Sequence, residues 1–108
     1  MEHTIRVLNT SSGEEVHHKI HVLHMTQIKS LQPFFNAEAP VMIPIEVENY
    51  TEAQAMNAMI TWLKRDAPSL QVDNKKTFRA LAIFADKFDV QCLREALTVC
   101  LFRYTRHA

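Results

Sequence analysis

The side chains with most obvious chemical potential are four histidines within eight residues: His17, His18, His21 and His24. His17 and His21 have the i, i+4 spacing that sets two imidazoles on one helix face, a known zinc-ligand spacing. The string Glu15-Val16-His17-His18 reads instead as a strand, where neighbours point to opposite faces. No Cys, Asp or Glu set completes a tetrahedral site nearby, so these are read as surface or packing histidines. Cys92 and Cys100 would need a histidine and an orienting acid to act as nucleophiles, and no such local signature is present. They read as buried helix thiols. The carboxylate pair Glu14-Glu15 falls at a turn, and Glu46 and Glu48 alternate on a strand. Both pairs read as solvated edges. With Gly13 the only glycine, no phosphate-cradling loop exists. No catalytic, cofactor or metal residue is assigned, and the chain is expected to be non-enzymatic. A small enzyme or a histidine metalloprotein is the rival reading.

Composition narrows the partners. Twelve basic residues balance twelve acidic ones, which argues against nucleic acid and its demand for a basic footprint. It argues equally against a polybasic membrane contact. No run of about 18 apolar residues is present, so no membrane span is expected. Cys92 and Cys100 would lie two turns apart on one helix, about 12 Å, beyond disulfide reach. Free thiols point to a reducing compartment. Met1-Glu2-His3-Thr4 lacks the basic and apolar regions of a secretory leader. Cytosol or nucleus is the expected location. At 108 residues and 47% hydrophobic, the chain fits one domain with one core.

The elements that must position these residues follow from periodicity. Thr4-Ile5-Arg6-Val7-Leu8-Asn9 is rich in β-branched residues and reads as a strand. Thr10-Ser11-Ser12-Gly13-Glu14 is a turn, and Glu15-Val16-His17-His18 the returning strand of a hairpin. Residues 20–25 and 27–32 read as two short helices, the second limited by Pro33. Met42-Ile43-Pro44-Ile45-Glu46-Val47 is a short strand that Pro44 demotes to an edge or a strand start. Thr51-Glu52-Ala53-Gln54 matches a capping box. Met56, Met59, Ile60 and Leu63 follow as one helix face, ending near Asp66. Met25 and Met42 are less settled, since exposed methionine suits an adaptable binding surface. A helix through Phe78, Leu81, Ala85 and Phe88 begins after Asp73 or Asn74. Asp89 then caps a last helix carrying Val90, Leu93, Leu97 and Leu101 to about Tyr104. The plan is α+β.

Several strings in this order resemble the BTB/POZ superfamily, and within it the Skp and elongin C branch. Ser11-Ser12-Gly13-Glu14 is similar to the Skp hairpin turn, and Ile28-Lys29-Ser30-Leu31 to a short helix that follows it. Pro44-Ile45-Glu46-Val47 through Met59-Ile60-Thr61-Trp62-Leu63 resembles the strand-helix block ending in V-I-x-W. Ala85-Asp86-Lys87-Phe88-Asp89-Val90-Gln91-Cys92-Leu93 looks like the A-D-K-Y-D-V-x-x-L of BTB domains and the A-N-Y-L-D-I-x-x-L of Skp proteins. The resemblance spans residues 4–104, a single domain. It implies a small three-stranded sheet with a helical cluster, without the extra C-terminal helices by which Skp proteins clasp an F-box.

Functionally it implies an adaptor in a cullin ubiquitin ligase, joining scaffold to substrate receptor. It places Asp86 and Lys87 where Skp proteins turn Asn-Tyr toward the cullin. Lysine is depleted at interface centres, which counts against cullin binding there. The last helix is apolar on more than one side, as expected of a helix covered by a partner. Leu93, Leu97, Cys100, Leu101 and Tyr104 are therefore the expected surface for an F-box-like receptor. A homodimerising BTB/POZ module outside any ligase is the alternative.

Overall fold

The computed structural model describes residues 1–107, with side chains described through Cys100. It is an α+β domain built on a three-stranded mixed sheet. Strands β1 (Glu2–Asn9) and β2 (Glu15–His21) form an antiparallel hairpin. Strand β3 (Met42–Val47) joins the other side of β1 in parallel, giving the order β2-β1-β3. Between β2 and β3 the chain forms α1 (Val22–Met25) and a 3-10 helix, Lys29–Phe34. Three longer helices follow: α2 (Tyr50–Lys64), α3 (Lys75–Lys87) and α4 (Gln91–His107).

Period-two alternation divides the sheet into two faces. Ile5, Val7, Ile20, Ile43, Ile45 and Val47 are buried on the inner one. Helix α2 packs on β1 and β2, α3 on α2, and α4 on α3. Met56, Met59, Ile60 and Leu63 are all buried, so the helical stripe read from the sequence is the core stripe. Two histidines share the inner face. His18 Nε2 lies 2.8 Å from Asn57 Oδ1 on α2, and His3 Nδ1 accepts from Val41 N–H.

The hairpin turn is built by its polar residues. Asn9 Oδ1 accepts from Ser11 N–H, and Gly13 takes φ +76 while donating to Asn9 C=O. The turn is tied to the end of β3 by Thr10 N–H on Val47 C=O and Ser11 Oγ on Glu48 C=O. Pro44 sits in a strand for a definable reason. Thr4 N–H bonds Val41 C=O, and Thr10 N–H bonds Val47 C=O. Odd-numbered residues of β3 thus face β1, and the even ones, Pro44 included, face away. The missing N–H is on the free edge, where proline is tolerated.

Several local expectations are corrected. The second strand runs on through His21, and only Val22–Met25 is helical. The segment with Pro33 is a 3-10 helix that contains the proline, not an α-helix ending before it. The cap of α2 is Asn49, whose Oδ1 accepts from Glu52 N–H at 2.9 Å. Glu52 reaches back to Glu48 N–H at 2.7 Å. The Thr51…Gln54 capping box is not used; Gln54 donates to Tyr50 Oη instead. Asn74 caps α3.

Asp89 ends α3 in place of capping α4. It takes φ +53 while Val90 N–H returns to Ala85 C=O and Asp89 N–H to Asp86 C=O, the Schellman pattern. Helix α2 ends in the same way. Asp66 and Ala67 have φ +61 and +49, with Asp66 N–H on Leu63 C=O and Ala67 N–H on Trp62 C=O. Glycine is the usual residue at such a left-handed corner, and aspartate tolerates it. Alanine does not, and Ala67 carries a steric penalty of about 1 kcal/mol. Ala67→Gly is therefore expected to raise stability by about 0.5–1 kcal/mol, roughly 3–6 °C in melting temperature. Thermal unfolding followed by circular dichroism checks this.

Candidate protein-interaction site

The left-handed pair Asp66-Ala67 throws the chain out of α2 and across the face of Trp62. Trp62 is 8% exposed, and its indole Nε1 donates to Pro68 C=O at 2.6 Å. Two residues on, Leu70 C=O accepts from the Cys100 thiol at 3.1 Å, and Val72 is buried beyond it. Residues 67–71 are thus pinned at one end to α2 and at the other to α4. A cleft of about 390 Å³ lies between this segment and α4. Its lining includes Trp62, Ala67, Pro68 and Leu70 on one side, with Cys92, Ala96 and Val99 on the other. A second cleft, about 420 Å³, flanks the same segment on the side of Asn57 and Arg65.

The helix presents this wall by simple spacing. Cys92, Glu95, Ala96 and Val99 fall at i, i+3, i+4 and i+7, one face of α4. Val99 is 52% exposed although apolar. Glu95 and Ser69 supply the polar rim. Such a surface can bury apolar side chains of another polypeptide. Burial pushes the Cys92 thiol above the ordinary cysteine range, and the Glu95 carboxylate adds to the shift, against hydrogen bonds to the backbone. The thiolate is the reactive form, so raising the pKa removes nucleophile at neutral pH.

The expected partner surface requires correction. Leu93, Leu97 and Cys100 are 0%, 6% and 5% exposed. They are one stripe at i, i+4 and i+7, turned inward as α4 packs on α3. The neighbouring stripe is displaced around the helix by one residue, with Cys92 and Ala96 half-buried and Val99 exposed. Leu101 and Tyr104 continue α4, but their side chains lie outside the described residues. Trp62 and residues 67–71 were not foreseen as part of a site. The available signal was an Ala-Pro-Ser-Leu string directly after a helix carrying the only tryptophan.

Asp86 and Lys87 lie exposed at the end of α3, away from this cleft's lining. Arg94 reaches back from α4 to clasp the corner, with Nε 3.1 Å from Asp86 Oδ1 and Nη1 2.8 Å from Asp89 Oδ1. These bonds, that to Asp89 foremost, hold the guanidinium pKa above its ordinary value. Lys87 Nζ lies 5.6 Å from the Phe88 ring centroid. The histidines do not converge. His17 lies beside Glu15 on the outer sheet face, His18 meets Asn57, and His24 bonds Asp66 at 2.8 Å. Among the described residues, no group of three or more His, Cys, Asp or Glu side chains could hold a metal ion. Nor is any described helix long and apolar enough to cross a membrane.

In comparisons with known proteins, no family model matches the chain, and no curated protein or solved structure does either.

Two outcomes follow. Leu97→Asp should cost about 3 kcal/mol or more by burying a charge, whereas Val99→Asp should stay within about 1 kcal/mol of the parent. Urea titrations of both separate core from surface. Alkylation of Cys92 by iodoacetamide, in a Cys100→Ser background, should be slower at neutral pH than for an exposed cysteine. It should accelerate into the alkaline range, as the raised pKa requires.

Proposed function

We propose that this chain is a non-enzymatic adaptor of the BTB/POZ class, of the Skp and elongin C type, joining a cullin scaffold to a substrate receptor. The observation that carries the reading is the apolar cleft between residues 67–71 and α4, floored by Trp62 and edged by the exposed Val99. Amphipathic helices recognise such grooves by laying an apolar stripe into them. Trp62, already buried in the fold, gives the cleft a rigid wall, and the area left to cover is that of Val99 and its neighbours. The order of elements and the β2-β1-β3 sheet are compatible with the family resemblance read in residues 4–104.

In this reading the receptor docks against Ala96 and Val99, with Trp62 beneath and Glu95 setting register through a basic residue on the partner. By the resemblance, Asp86 and Lys87 occupy the cullin-facing position, with Lys87 counting against a tight contact there. Helix α4 serves both, since Arg94 holds the Asp86 corner from the turn next to Cys92.

The test is affinity purification of the tagged full chain with mass spectrometry, beside an Ala96→Glu, Val99→Asp variant that spares the buried stripe. The parent is expected to recover a cullin-associated or F-box-like receptor, reduced at least about tenfold in the variant. Recovery of the same partners in equal amount by both forms would overturn the assignment of this surface.

A further inference from the structure

We propose that the free edge of β2 is a self-association site at which a second copy of this chain adds its own β2 in antiparallel fashion, making one continuous sheet. The proposal stands apart from the cleft and does not depend on the adaptor reading. The backbone pattern supplies its first support. Asn9 N–H bonds Glu14 C=O, and Val22 N–H bonds Met1 C=O. With the register of the hairpin, odd residues of β1 therefore face β2, and His18, Ile20 and Val16 face back. Glu15, His17 and Lys19 turn their N–H and C=O groups outward, while the C=O of His21 is taken up as the N-cap of α1. Among the described residues β2 pairs with β1 alone, so the groups of Glu15, His17 and Lys19 line an open edge. The strand is seven residues long and contains no proline. Such an edge is a template for another strand.

Charge selects both the partner and the register. The side chains of Glu15, His17 and Lys19 lie on the outer face in alternation. When two copies pair about His17, Glu15 of each lies directly opposite Lys19 of the other. About six backbone hydrogen bonds then close, two for each of the three pairs. Sliding the pairing so that Lys19 meets Lys19 sets like charges opposite one another, which is unfavourable. Lysine on an edge strand normally discourages pairing, but here the self-complementary register converts it to an attraction. Lys19 makes no ion pair among the described residues. Glu15 contacts only exposed or half-exposed groups, Arg6 at 3.5 Å and His17 at 3.3 Å, and can turn toward a second copy. An apolar observation agrees. Val16, on the inner face, is 42% exposed, and this register sets it against His18 of the second copy.

Sedimentation equilibrium of the full chain, from about 10 µM to about 1 mM, tests the proposal. The parent is expected to move from monomer to dimer across this range. Lys19→Glu and Glu15→Lys, each alone, set like charges across the new seam and should weaken dimerisation about tenfold or more. Their equimolar mixture restores opposite charges at both pairs and should recover parental association. His17→Pro removes the central outward N–H of each copy and should abolish the dimer, with circular dichroism checking that the monomer stays folded. A monomer at every concentration would overturn the proposal. So would a dimer that ignores these charge changes, because the second copy would then sit elsewhere.

Discussion

The helical half of this domain depends on two backbone reversals made without glycine. At Asp89 the chain enters the left-handed region, and the carbonyls just freed are taken up at once. Ala85 C=O accepts from Val90 N–H, while Phe88 and Asp89 accept from Ser30 and Lys29 of the 3-10 helix. Val90 is left fully buried, which covers the corner with apolar surface. This bend brings α4 back along α3 with Leu93 and Leu97 facing inward. A helix continued straight through residue 89 would carry both leucines into water. The corner at Asp66-Ala67 acts likewise on the other side, directing residues 67–71 over Trp62. The cleft exists because these two turns bring together a loop and a helix that are distant in sequence.

What could be read in advance tracks what is local. Strand β3 was legible to the residue, because alternation and Pro44 both report on backbone environment. The buried face of α2 was equally legible, from Met56 to Leu63. The left-handed corners were not. Aspartate is ambiguous between capping the next helix and closing the previous one, and at Asp89 the second role prevailed. Asn49 prevailed over Thr51 for the same kind of reason, since both are good caps and only the end of β3 decides between them. The site suffered most. Helix α4 has two apolar stripes, through Leu93 and through Cys92, a fraction of a turn apart. Periodicity detects both, but which one faces inward is set by its packing on α3, a tertiary fact.

The two exposed surfaces use different physics. The cleft offers apolar area, chiefly at Val99, and its strength would come from water released. The β2 edge offers unpaired backbone groups whose hydrogen bonds exchange with those of water and so contribute modestly each. The first tolerates varied sequences that present an apolar stripe. The second is directional, and its outer-face charges admit one alignment. Neither competes for residues with the other, since the cleft is lined from α2, residues 67–71 and α4 and the edge is made by β2.

Pro44 makes the two rims of the sheet unequal. On the β3 rim the middle outward residue has no hydrogen to give, so a strand arriving there would leave a gap at the centre of the ladder. Growth of the sheet is therefore blocked on that side. Two molecules joined back to back along β2 would present only proline-bearing rims to the outside. Such an assembly closes on itself and has no route to an open-ended filament.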